Sequence, residues 1–353
     1  MRKHNFCAGP CTLPQSVFKE AAAAVENYNN SGLSILEISH RSDAFVAIME
    51  EARALALEMA DLQNKDYEAL FLHGGASMQF LMVAYNFLQK KAAYLDTGVW
   101  SSKAIKEGEL FGEAIKVASS KDENYNYVPK NYSIPEVDYF HCTSNNTIYG
   151  TQLKEFPQIG IPMICDMSSD IFSKKIDYNQ FDLIYAGAQK NIGTTGTALV
   201  LIKKELLKKI KPNVPSMLSY QTHIERKSMF NTPPVYAIYV ALLNLRWLEK
   251  QGGISATESK NRKKAALIYK EIDRNPLFYG FAKKEDRSMM NATFFLKDES
   301  LSDKFNDLWQ KAEINGLEGH RTIGGYRASM YNALSIESVE LLVQTMQELE
   351  KNI

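Results

Sequence analysis

Between Ile161 and Gly193 two short apolar runs, IPMICD and DLIYAGAQKNIG, each end in polar residues. That pattern constrains the fold more than any other stretch. Short apolar runs bounded by polar turns, with longer helix-period segments between them, are the sequence form of a parallel sheet covered by helices. In open sheets of this kind ligands sit beyond the carboxyl ends of the strands. Asp166, closing the first run, and Lys190, following the second, are therefore expected at one crevice. Desolvation or cationic neighbours can lower a lysine's pKa enough for it to form a Schiff base, and a carboxylate beside it can hold a proton on a heterocyclic nitrogen. Solvated lysines and aspartate caps are the commoner roles of the two residues, so the rest of the chain has to decide.

Other runs end in the same way. YEALFLHGGAS reads as strand, glycine turn and helix start, with Ala76 and Ser77 offering free N–H groups suited to a phosphate. It is neither a dinucleotide fingerprint nor a P-loop. AAYLDTGVWS is a short strand with Trp100 in the turn after it, where an indole can stack on a flat ring. VDYFHCTSNNTIYG is a strand ending in Thr143, Asn145, Asn146 and Thr147. Helical patterns run from Gln15 to about Tyr28 and from Asp43 to about Leu62, with Ser42 capping the second and His40 and Arg41 just before it. After Lys190, TGTALVLIKK reads as a strand leading into a lysine-rich helix. Asn231 and Thr232 precede a long apolar helix that Pro233 or Pro234 opens. GGISATESKNRKKAALIYKEIDR reads as a solvated amphipathic linker helix, and an α+β region follows from about Asn275. Within that region GHRTIGGYRAS places His320, Arg321 and Arg327 around a glycine pair. Arginine forks bind carboxylate and phosphate bidentately, so Arg41, Arg321 and Arg327 together suit a substrate with an anionic group at each end.

Size and charge narrow the classes. The chain has 353 residues, enough for a large core, with 41 basic and 41 acidic residues. A net charge of zero gives no support for nucleic-acid binding, and no apolar run approaches the length of a membrane span. The start, MRKHNFCAGPCTLP, lacks the apolar stretch of a signal peptide and is irregular, so a cytoplasmic protein is expected. Cys7 and Cys11 lack a second pair at zinc-site spacing, and with Cys142 and Cys165 they are read as thiols, with no metal site.

Taken together, NFCAGPCTLP, ISHRS, HGGAS, TGVWS, NNTIYG, CDMSSD, AGAQKNIG, FNTPP and GHRTIGGYRAS span nearly the whole chain. In order and spacing they resemble the fold-type I pyridoxal-phosphate-dependent aminotransferases of class V, within them the phosphoserine aminotransferase family. The resemblance implies an α/β fold, with a large domain (15–255) built on a mostly parallel seven-stranded sheet and a smaller α+β domain made from 1–14 and 256–353. It implies a homodimer with shared active sites. It also implies that pyridoxal 5'-phosphate is bound by Lys190, with Asp166 on its ring nitrogen, Trp100 stacked on the ring and Thr147 near its hydroxyl. Ala76, Ser77 and Gln189 would face the cofactor phosphate, with Asn231 and Thr232 reaching in from the partner subunit. Lys190 would also move the substrate's proton. Arg327 is implied as the α-carboxylate clamp, and His40, Arg41, His320 and Arg321 as the site for a distal phosphate or carboxylate. The implied reaction is amino transfer from glutamate to 3-phosphohydroxypyruvate in serine biosynthesis, with a phospho-keto acid of vitamin B6 biosynthesis as a further substrate in some members.

His73, Asn146, Met167 and Tyr326 depart from common family residues without removing a named chemical group. Two rivals use the same fold: a cysteine desulfurase, which needs a nucleophilic cysteine on a mobile loop, and an alanine or glyoxylate aminotransferase, which has less use for distal basic groups. A non-catalytic cofactor-binding protein would keep the lysine but not the arginines.

Overall fold

The computed structural model describes residues 2–353. Its frame is a seven-stranded sheet of β2 (Tyr67–His73), β3 (Lys91–Asp96), β4 (Glu113–Ser119), β5 (Phe140–Thr143), β6 (Met163–Asp166), β7 (Leu183–Gly187) and β8 (Thr197–Lys203). A two-residue strand, β1 (His4–Asn5), precedes them in the chain. The strand order is β2-β8-β7-β6-β5-β3-β4. Strand β8 runs antiparallel to both neighbours and the other pairings are parallel. With β8 reversed between them, β2 and β7 point the same way, so every run that ends in polar residues opens onto one edge. Strands β5 to β7 are buried along their whole length, as expected for parallel strands covered on both faces.

Helices α1 (Gln15–Glu26), α2 (Asp43–Met59) and α6 (Val235–Lys250) cover one face, and α3 (Ala76–Phe87), α4 (Val99–Glu109) and the short α5 (Tyr220–Glu225) the other. Ser42 caps α2 by accepting from Phe45 N, as its position suggests. Both early helices stop short of the expected ends, at Glu26 and Met59. Trp100 is the second residue of α4 rather than part of a preceding turn, and the lysine-rich segment after β8 is a 3₁₀ helix, Lys204–Lys209.

The remaining elements are α7 (Gly253–Arg274), β9 (Phe278–Gly280), β10 (Asn291–Leu296), α8 (Ser302–Lys311), β11 (Ile314–Asn315), β12 (Tyr326–Ser329) and α9 (Ile336–Lys351). They build a three-stranded antiparallel sheet, β12-β10-β9, and an apolar cluster that also takes in Phe6. The chain start is not wholly irregular, because β1 pairs in parallel with β11. Only past Phe6 does it become the strap that the glycine and proline punctuation suggests.

Helix α7 is not a solvated linker. Thr257, Asn261 and Lys264 are buried, Lys264 to 1% exposure. The Lys264 ammonium donates to the carbonyls of Met330, Tyr331 and Leu334 at 2.9, 2.8 and 3.1 Å. It thereby fixes the segment after β12, whose Asn332 N donates to Asn191 Oδ1 at 3.1 Å, one residue past Lys190. Periodicity missed this because a charged residue on a polar helix face looks solvated until its acceptors, some 66 residues away in sequence, are known. Lys264→Met leaves three buried carbonyls without their donor. It is expected to lower stability by about 2–4 kcal/mol, seen as a lower urea midpoint at unchanged m-value.

Candidate active site

The parallel register sets Thr143 of β5 beside Asp166 of β6, and Asp166 beside Tyr185 of β7. Lys190 follows three residues past the end of β7 and turns back over this edge. It is 9% exposed, and its ammonium donates to Thr147 Oγ1 at 2.8 Å. The Trp100 ring centroid lies 5.7 Å from the same nitrogen. Burial pushes the Lys190 amine down to about 8; the Asp166 charge opposes that fall and Arg327 adds to it. Burial likewise raises Asp166, while Lys190 and the Ser168 hydrogen bonds hold it down.

Ser168 had no role in the sequence reading. Its N–H and hydroxyl donate to Asp166 Oδ1 at 2.9 and 2.6 Å, and its hydroxyl accepts from Gly187 N at 3.0 Å. One serine thus fixes the carboxylate and locks the ends of β6 and β7 together, leaving Oδ2 without a hydrogen bond among the described residues. The Asp-x-Ser spacing was the available signal. Asp96, also unnoticed, is buried at the end of β3. It accepts from Ser101 and Ser102 at 3.2 and 2.8 Å and from Ser119 and Tyr125 at 2.9 and 3.4 Å, which sets the first turn of α4 and Trp100 with it. Gly98 suits that turn, since a Cβ there would collide with the Asn146 side-chain amide.

Helix α3 begins at Gly75 with no side-chain cap, so the first N–H groups beyond it, at Ala76 and Ser77, are free for an anion. Gln189 joins them: a Cβ at Gly187 would meet Gln189 Oε1 at 2.8 Å and Ala76 N at 3.4 Å. Over the Lys190 turn lies the N-terminal strap, with Cys11 N donating to Gln189 O at 3.0 Å and Ala8 O accepting from Tyr331 at 2.7 Å. The Cys11 thiol bonds to Lys190 O, and burial pushes it up to about 12. Cys7 and Cys165 are raised as well, mainly by burial, so these three thiols give no support to a desulfurase nucleophile, and Cys142 is buried within β5.

Arg327 comes from β12, where it pairs with Thr293, and its Nη1 donates to Thr147 O at 3.4 Å. His320 and Arg321 lie on the loop before it. His320 is lowered first by burial and then by the charges of Arg327, Arg321 and Lys103, so these groups share one positive field. His40 and Arg41 occupy the turn before α2, and among the described residues neither has a hydrogen bond or ion pair with that cluster. Asn231 and Thr232 are exposed, and no hydrogen bond of their side chains occurs among the described residues; Thr232 O bonds to His73 Nε2 at 2.7 Å beside the glycine turn.

Residues 4–342 match the model of the family described as Aminotransferase class-V. The chain belongs to the class-V aminotransferases. Among relatives in that family, the phosphoserine aminotransferase of Flavobacterium psychrophilum is 61% identical over 100% of both chains, and that of Parabacteroides distasonis is 54% identical over 99% of each. Among solved structures, phosphoserine aminotransferase from Bacillus circulans subsp. alkalophilus superposes with a TM-score of 0.96 at 42% identity, covering 99% of both chains. The pyridoxal-phosphate-bound enzyme from Trichomonas vaginalis gives 0.93 at 36% identity, covering 98% of this chain and 100% of its own. An alanine–glyoxylate aminotransferase from Nostoc sp., at 14% identity and a TM-score of 0.76 over 99% of this chain and 95% of its own, shares the class-V fold.

The residues present fit the family's cofactor. Trp100 Nε1 and Thr143 Oγ1 are buried at this edge without partners, Asp166 Oδ2 is free, and α3 presents open N–H groups. Two outcomes follow for the cofactor-free protein. The rate at which Lys190 captures pyridoxal phosphate, followed by visible absorbance, should rise as pH increases through about 8 and then level off, because only the neutral amine attacks and its pKa is about 8 rather than 10.5. Ser168→Ala should weaken cofactor binding by roughly 10- to 100-fold, the worth of a hydrogen bond to a charged group, read by equilibrium titration.

Proposed function

We propose that the chain catalyses reversible transfer of the amino group of glutamate to 3-phosphohydroxypyruvate, giving 2-oxoglutarate and phosphoserine in serine biosynthesis. The observation that carries this reading is the buried Lys190 amine, bonded to Thr147 and lying in the opposed fields of Asp166 and Arg327. Relatives carrying the name phosphoserine aminotransferase at 61% and 54% identity over the full length support the substrate pair.

When bound, pyridoxal phosphate supplies an aldehyde that condenses with amines and a pyridinium ring that accepts the electrons released when a Cα–H bond breaks. The protein does the rest. Asp166, fixed by Ser168, would keep a proton on the ring nitrogen. Trp100 would pack on the ring, Thr147 would meet its hydroxyl, and Ala76, Ser77 and Gln189 would hold the phosphate at the uncapped start of α3. Lys190 would hold the cofactor through its amine, and that amine, when free, would take the proton from substrate Cα and return it. A pKa of about 8 suits a base at neutral pH. Arg327 grips the α-carboxylate that both substrates carry.

The distal end must accept a carboxylate in one half-reaction and a phosphate in the other. Arginine and histidine N–H groups serve both, since each ligand presents anionic oxygens. The positive field that His320 and Arg321 share with Arg327 supports this role for them. His40 and Arg41, without a hydrogen bond or ion pair to the cluster among the described residues, and the exposed Asn231 and Thr232 belong in this proposal to a homodimer in which each subunit completes its partner's site. A cytoplasmic location belongs to it as well; no helix among the described residues is long and apolar enough to cross a membrane. So does the division into a large domain (15–255) and a small one (1–14 with 256–353), supported by Phe6 sharing its apolar cluster with residues from Ala265 onward.

The visible absorbance of the holoenzyme should fall on adding glutamate and return on adding 3-phosphohydroxypyruvate. If only another keto acid restores it, the substrate assignment is wrong. Lys190→Ala should lose turnover by roughly 10⁴-fold, whereas Arg327→Ala should cost about 10²-fold in kcat/KM for both substrates. Appreciable transamination by the Lys190 variant would sink the mechanism.

A further inference from the structure

Lys103 stands outside every role assigned so far. It lies three residues after Trp100 on α4, on the same side of the helix, and its ammonium sits 4.6 Å from the centroid of the Trp100 ring. The same ring lies 5.7 Å from the Lys190 ammonium. Trp100 and Ile323 both pack against the small apolar cluster of Tyr125, Ile148 and Tyr149, and the Ile323 N–H donates to His320 O at 2.9 Å. One apolar cluster thus carries the indole on one side and the His320–Arg321 loop on another. His320 feels the Lys103 charge together with those of Arg327 and Arg321. Among the described residues no carboxylate forms an ion pair with Lys103, Arg321 or Arg327, although many other surface cations of this chain have one.

We propose that Lys103 is a specificity-determining residue: its ammonium, held over Trp100 beside the His320–Arg321 loop, adds the positive charge that favours a phosphorylated acceptor over an unphosphorylated one. This rests on the distal-anion reading given above. Arginine forks bond carboxylate and phosphate alike, so they serve both half-reactions but separate the two ligands weakly. A point charge that need not touch the ligand acts by charge alone, and a phosphate carries about 1.5 to 2 negative charges where a carboxylate carries one. Resting on the indole face, the Lys103 ammonium keeps its direction instead of sweeping through solvent.

The test uses the holoenzyme with glutamate as donor and either 3-phosphohydroxypyruvate or hydroxypyruvate as acceptor. Lys103→Met, which keeps the stem and removes the charge, should lower kcat/KM for the phosphorylated acceptor roughly fivefold and for hydroxypyruvate by less than about twofold. The loss should shrink as ionic strength rises, because salt screens an exposed charge. Lys103→Arg should restore the ratio. Equal losses on both acceptors, or none, overturn the assignment. Arg321→Ala separates the two levels: if it weakens the phosphorylated acceptor while Lys103→Met does not, only the Lys103 role falls. If neither variant does, the distal-anion reading falls with it.

Discussion

The site depends on taking one amine out of water. Lys190 is a full-length lysine at the end of a sheet whose inner strands are entirely buried, and desolvation there outweighs the attraction of Asp166 enough to bring its pKa to about 8. The same burial raises Asp166, so the two groups are each pushed toward neutrality while each holds the other in its charged form. A stronger direct pair would fix the lysine as an ammonium useless as a nucleophile. The Asp166 carboxylate is instead occupied on one oxygen by Ser168, and the Lys190 ammonium rests on the neutral Thr147 hydroxyl.

Much of the surrounding architecture serves to keep that edge dry and aligned. The N-terminal strap lies over the Lys190 turn, and Tyr331 holds the strap through Ala8 O. Asn332 holds Asn191 from the other side, and the Lys264 ammonium gathers the three carbonyls that shape the Asn332 segment. Buried polar groups arranged in this way are costly unless every member is satisfied, and satisfied networks are rigid. The two apolar bodies of the chain are thereby joined at the active site by specific bonds as well as by packing.

The basic groups follow a different logic. Arg327 is half-buried on a short strand and bonded to Thr147 O, so its position is tied to the residue that also holds Lys190. His320, Arg321 and Lys103 are more exposed and act through a shared field that has no fixed counter-ion. Under the proposed function a rigid clamp would suit the α-carboxylate common to both substrates, and a softer field a distal group that changes between half-reactions.

The strand runs, the polar residues at their ends, the Ser42 cap and the order of the motifs were legible in the chain, because strand burial and helix capping are local in sequence. Lys190, Asp166, Thr147 and Trp100 could be named for the same reason: each ends a short strand or lies within four residues of its end. Local pattern could not show that β8 is reversed within the sheet, that His4–Asn5 pairs with Ile314–Asn315, or that α7 buries a lysine. Nor could it give Ser168 and Asp96 their roles, since those depend on which hydroxyls and amides arrive from elsewhere. Sequence by itself determined the chemical groups and the edge to which they are delivered, since strand period and turn chemistry act over a few residues. Only the tertiary structure decided how far Lys190 is desolvated and which cations share its neighbourhood, because burial and Coulomb fields are sums over groups far apart in the chain.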